Sequence, residues 1–246
     1  MSGMTAKTAM RGLLALQLGL GGLMVAGDLE GGLALWPGTE RAPQLETPVR
    51  PGDQTRRFTP NDLPQPLRAP DAPPLPERLV LTTLEDGTVL LEGGIAGGDA
   101  ERLADDLNAA APTRVRLNSP GGSVTDALAL GRQIRALGAE TVLEAGDVCL
   151  SACPYLLAGG TARTVDPNAM VGVHQHYFGE STILPAFVAV EDIQRGQGEV
   201  MAYLVEMDID PRLMQHALVT PPDEIYLLVP EELTTYRLAT GTPDAA

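Results

Sequence analysis

Leu117-Asn118-Ser119-Pro120-Gly121-Gly122-Ser123 is the stretch on which the reading of this chain turns. Before it, Arg114–Leu117 alternates charged and apolar residues, the period of a short strand. After it, Ser123–Leu137 sets Val124, Leu128, Ile134 and Leu137 on one helical face. The segment therefore joins a strand to a helix. Two adjacent glycines let the backbone approach a ligand and take unusual torsions. The free N–H groups at a helix start favour developing negative charge, which would suit an oxyanion-stabilising loop. Pro-Gly-Gly is also ordinary turn chemistry, so the stretch alone leaves both readings open.

Outward from this turn the same alternation repeats. Leu79–Thr83 and Thr88–Gly93 read as strands around Asp86-Gly87. Asp99–Ala110 reads as an amphipathic helix carried by Leu103 and Leu107. Thr141–Leu143, residues 163–165 and 170–174, and Ile225–Leu228 read as further strands. Residues 152–158, 185–207, Pro211–Leu218 and Pro230–Tyr236 read as helices. Repeated β-α-β order implies sheets covered by helices, an α/β domain over residues 77–241 with a short tail at 242–246.

The N-terminal third differs. Lys7 and Arg11 precede an uncharged run, residues 12–27, and Asp28 and Glu30 follow it. A basic flank, an apolar core and then acids describe an export signal or a membrane anchor over residues 1–30. The run is short for a spanning helix, which wants about 20 residues. Residues 31–76 read as a Pro-rich linker, with 11 of the 21 prolines between residues 36 and 76. Such a stretch forms a semi-rigid spacer. The alternative is an ordered arm on the domain surface, docked through Phe58 after Arg56-Arg57.

Composition narrows the function. The 246 residues carry a formal charge of −15, which argues against a nucleic-acid or anionic-membrane footprint. Aromatic residues make up 4 %, too few for a base-stacking platform. Lys7 is the sole lysine, and His174, His176 and His216 are the only histidines, so a general base has few sources.

Two more segments bear on chemistry. In Gly146-Asp147-Val148-Cys149-Leu150-Ser151-Ala152-Cys153 a strand ends and Ser151 opens a short apolar helix. Ser151 is either an N-cap or a nucleophile, with the Ala152 amide as an oxyanion donor. In Met170-Val171-Gly172-Val173-His174-Gln175 a histidine ends an apolar strand. His176 faces the same way in an extended chain and is a second candidate.

Taken together these segments resemble the proteolytic subunit of the Clp protease, within the Clp protease/crotonase superfamily, over roughly residues 79–240. Asn118–Gly122 matches its N-S-P-G-G oxyanion loop. Ser151-Ala152 with Leu156-Leu157-Ala158-Gly159 matches its nucleophile helix, and Pro167 to His174 its Pro-to-His spacing with Gln175 following. The Ser-to-His interval is slightly shorter than is usual there. The Cys149–Cys153 context looks most like exported members. The resemblance implies a spiral of β-α-β units and a serine peptidase with Ser151 as nucleophile, His174 as base and Asp223 as the third member, Glu224 being the alternative. Gly121 or Gly122 and Ala152 would form the oxyanion hole. Relatives with a Ser–Lys dyad are excluded by the lack of a lysine beyond Lys7.

The same resemblance implies a homo-oligomer acting on peptides or unfolded proteins without a cofactor or metal. In an exported, periplasmic setting no ATP-driven unfoldase partner is expected. An acyl-CoA-handling crotonase shares the oxyanion loop but not the Ser/His pair. A catalytically inactive scaffold that binds a partner peptide at the membrane is the remaining alternative. Cys149 and Cys153 are read as two small buried thiols, since a bridge would close only a short loop; pairing stays open.

Overall fold

The computed structural model describes residues 6–29, 42–45, 52–59, 74–176 and 186–241. The tail at 242–246 and most of the Pro-rich stretch lie outside the described residues. The chain divides into two compact units, residues 1–41 and 42–246. The first contains one helix, α1 (Ala6–Leu29), with Leu13, Leu16, Leu18 and Leu20 exposed. Among the described residues no helix is long and apolar enough to cross a membrane.

The second unit begins with β1 (Thr55–Arg57) and continues as an α/β fold. One sheet joins β2 (Val80–Thr83), β3 (Val89–Glu92), β4 (Arg114–Asn118), β5 (Glu140–Leu143) and β7 (Arg163–Val165), in that spatial order. The second runs β1, β9 (Glu224–Leu227), β8 (Met170–Val173), β6 (Val148–Leu150). Only β2–β3, β1–β9 and β8–β9 are antiparallel. The helices are α2 (Asp99–Ala110), α3 (Val124–Ala136), α4 (Cys153–Ala158), α5 (Ala186–Glu206), α6 (Met214–Val219, after a 3-10 turn at Pro211–Leu213) and α7 (Pro230–Thr235). This is the mixed α/β architecture expected from the repeated β-α-β order, and it is consistent with the Clp protease/crotonase type that the resemblance implies.

Local chemistry sets the elements that frame the site. The β2–β3 hairpin turns on Asp86, whose carboxylate accepts the Thr88 N–H at 2.9 Å. Asp99 in the first turn of α2 is fully buried and accepts from the Ala96 N–H at 2.7 Å and the Arg78 and Arg102 guanidiniums at 2.7 and 2.8 Å. Burial works against its charge, but those donors outweigh it and hold the carboxyl below its usual pKa. Ser123 caps α3, its hydroxyl accepting from the Asp126 N–H. Arg135 on α3 donates to the carbonyls of Ala158, Gly159 and Gly160, which end α4. Leu103, Leu107, Leu117, Leu130 and Ile134 fill the core between the first sheet and its helices. Each such burial stabilises the fold by about 1.5–3 kcal/mol.

Candidate active site

Strand register brings the candidate residues together. In the parallel pair β6–β8, Cys149 lies beside Val171 and Leu150 beside Gly172. One step further sets Ser151 beside Val173, and His174 is next in the chain. The Ser151 N–H donates to the Gly172 carbonyl at 2.9 Å, locking that register. Ser151 Oγ lies 2.7 Å from His174 Nε2. The slightly short Ser-to-His interval therefore does not separate the pair.

Ser151 sits at φ 59°, a left-handed conformation that disfavours L-residues by roughly 1–2 kcal/mol. This sharp turn takes the chain from β6 into α4. Around it Cys149 and Cys153 form a disulfide, with Cα atoms 5.0 Å apart. The expectation of two free thiols is thus corrected. The tight turn folds the start of α4 back over the end of β6, within bridging reach despite the short loop.

The glycine turn packs against the same residues. Gly121 has φ 96° and Gly122 φ 138°. A methyl group on Gly121 would meet Ser151 Cβ and the Leu150 carbonyl at 2.5 Å, so only glycine fits there. The Gly121 N–H donates to Ser119 Oγ at 3.1 Å. The N–H groups of Gly122 and Ala152 meet no acceptor among the described residues.

His174 is buried, 7 % exposed, while Ser151 is partly open to solvent. Desolvation, then the neighbouring His176, push its pKa down to about 4, against a raising effect of the Pro222 carbonyl. No acceptor among the described residues meets its Nδ1 at hydrogen-bonding geometry. The Asp223 carboxylate is exposed and makes no bond to the ring; Asp223 touches this region through its carbonyl, which accepts from the Phe58 N–H at 2.9 Å. Glu224 is the first residue of β9, opposite Arg57. His176 Nε2 lies 2.7 Å from the Tyr155 hydroxyl, and it is His174 that meets Ser151. Among the described residues no cluster of three or more His, Cys, Asp or Glu side chains is placed to hold a metal.

One neighbour was only half legible in the sequence. Phe58 lies with its ring centroid 5.2 Å from that of His174, edge-on at 67°. Its place after Arg56-Arg57 marked it as a docking candidate, but nothing local pointed to the histidine.

A model of the Clp protease family matches residues 81–206, just over half of the chain. The chain belongs to the Clp protease family. The matched span of this Clp protease family member holds the glycine turn, Ser151 and His174, and stops short of Asp223 and of the arm carrying Phe58. No curated protein matches the chain.

Proposed function

We propose that this chain is a serine peptidase that cleaves peptide bonds in short or unfolded chains. The 2.7 Å contact between Ser151 Oγ and His174 Nε2 carries the reading. In this mechanism Ser151 Oγ attacks the scissile carbonyl while Nε2 takes its proton. Negative charge develops on the carbonyl oxygen, and the unspent N–H groups of Gly122 and Ala152 are suited to receive it. Gly121 joins them only by releasing Ser119. The imidazolium then protonates the leaving amine. A water, deprotonated by the same nitrogen, hydrolyses the acyl-enzyme.

A histidine whose pKa lies near 4 is neutral and available at pH 7, yet it is a weaker base than one poised near neutrality. Asp223, the proposed third member, would strengthen it by turning its carboxylate toward Nδ1 when substrate binds. Export is part of the proposal: the basic-then-apolar start fits it, and a disulfide fits an oxidising compartment. So are self-association and peptide substrates, both frequent in this family.

The unmet Nδ1 favours a second reading, a scaffold that binds a peptide without cleaving it. A fluorophosphonate separates the two. Labelling of Ser151, lost in His174→Ala and kept in His176→Ala, is expected of the peptidase. A folded chain that takes no label is a scaffold. Asp223→Asn then reports whether the carboxylate contributes.

A further inference from the structure

We propose that the N-terminal arm at residues 54–58 is a positioning element for the histidine, with Phe58 holding the His174 imidazole against Ser151 where, among the described residues, no carboxylate reaches it. This rests on the Ser151–His174 pair being the reacting pair.

The arm is built into the domain. β1 pairs antiparallel with β9, Thr55 opposite Tyr226 and Arg57 opposite Glu224. The Leu227 N–H donates to the Gln54 carbonyl at 3.0 Å, and the Gln54 side chain donates to Glu232 at 3.0 Å. Leu45 and Phe58, each 4 % exposed, pack with Val148, Leu150, Ile225 and Leu227. Val148 and Leu150 belong to the strand that ends on Ser151. The arm thus shares an apolar cluster with the strand bearing the nucleophile.

Phe58 then acts on the ring from two directions. Its edge-on contact restricts rotation of the imidazole and keeps water from that side. Its N–H holds the Asp223 carbonyl, and so the turn that carries the Pro222 carbonyl beside the ring. A triad acid ordinarily fixes the tautomer and aim of its histidine. Before substrate binds, an aromatic ring and a tethered backbone turn hold the imidazole in place of a carboxylate. Among the described residues the ionisable groups on the surrounding elements include His176 on the chain after β8, Asp223 just before β9, Glu224 and Tyr226 on β9, and Arg56 and Arg57 on the arm.

The test uses the full chain and its Phe58→Ala and Phe58→Leu variants. The readouts are the rate of fluorophosphonate labelling against pH and the histidine NMR titration, which is tractable with three histidines. Loss of the ring should slow labelling about tenfold or more, as expected when a reacting group is misaimed. It should also move the acid midpoint from about 4 toward the ordinary 6.5. Leucine, which restores apolar bulk, should recover much of both. Equal rates and midpoints in wild type and Phe58→Ala would overturn the inference while leaving the peptidase intact. A wild-type chain that takes no label defeats the peptidase reading instead. Should Phe58→Ala fail to fold, the Leu variant and the wild-type titration decide: a wild-type His174 midpoint near 6.5 means the ring is not enclosed, and the inference falls.

Discussion

Gly121→Ala tests the geometry of the site most directly, because two separate effects of the added methyl can be told apart. The first is conformational. At φ 96° an L-residue is disfavoured by roughly 1–2 kcal/mol whatever the space around it. The second is steric. The methyl would lie 2.5 Å from Ser151 Cβ and the Leu150 carbonyl and 2.8 Å from the Ala152 nitrogen. Carbon pairs prefer about 3.5–4.0 Å, so the two turns must part by roughly 1 Å. That displacement falls together on Ser151, the proposed nucleophile, and on the Ala152 N–H, a proposed oxyanion donor. A shift of that size at a reacting centre lowers rate about a hundredfold. Gly87→Ala is the matched control, with φ 83° and nothing near the new methyl. Both variants should lose about 1 kcal/mol or more, a fall of about 3 °C in Tm. Only Gly121→Ala should lose fluorophosphonate reactivity. A folded Gly121→Ala protein that labels within a few fold of wild type would show that the glycine turn does not abut the reacting serine.

Four further outcomes follow from the same structure. The labelling rate of Ser151 should stay high down to mildly acidic pH and fall through about 4, because only neutral His174 accepts the proton; half-loss near 6.5 would show an unburied ring. Stability should move the same way: the unfolded histidine takes up its proton near 6.5 and the folded one only near 4, so acid progressively favours unfolding between those values, as urea midpoints across that range would show. Removing the Cys149–Cys153 cross-link by double alanine substitution should cost about 2 kcal/mol of chain entropy and slow labelling further, since the bridge spans the left-handed serine; unchanged labelling would deny it a part in holding the nucleophile. Asp99→Ala, which leaves the Leu79 and Ala96 N–H groups without their acceptor and two half-exposed guanidiniums without their partner, should destabilise by about 3 kcal/mol and lower Tm by about 8 °C; calorimetry showing no change would mean the buried carboxylate is idle.

The elements nearest to their expected bounds are those decided by neighbours in sequence. Asp99–Ala110 is a helix over the span its leucine spacing marks, and Ser123 caps the next one. The strand that ends before Ser151 has no readable bounds in the sequence because Val148–Leu150 is too short to show a period; pairing with β8 sets its span. The spacer reading of the Pro-rich stretch gave way, at Thr55–Arg57, to an ordered arm for a similar reason. Three residues carry no pattern of their own, and the strand forms because β9 offers an open edge far along the chain.

The same distinction explains why the proximity of Ser151 and His174 was legible and the placement of the Asp223 carboxylate was not. Ser151 and His174 stand at the ends of adjacent parallel strands, so once those strands pair, their meeting follows from register alone. The group at Nδ1 depends on where a turn from another part of the sheet comes to rest. That turn is placed by Phe58, whose N–H takes the Asp223 carbonyl, and by the Gln175 N–H, which takes the Thr220 carbonyl at 3.0 Å. An acid in the right place along the chain is therefore insufficient: two backbone bonds that aim the turn decide whether its carboxylate or its carbonyl faces the ring. If the carboxylate swings in on substrate binding, Asp223→Asn should slow labelling severely and Phe58→Ala only mildly. If the Phe58 ring holds the imidazole instead, the order reverses.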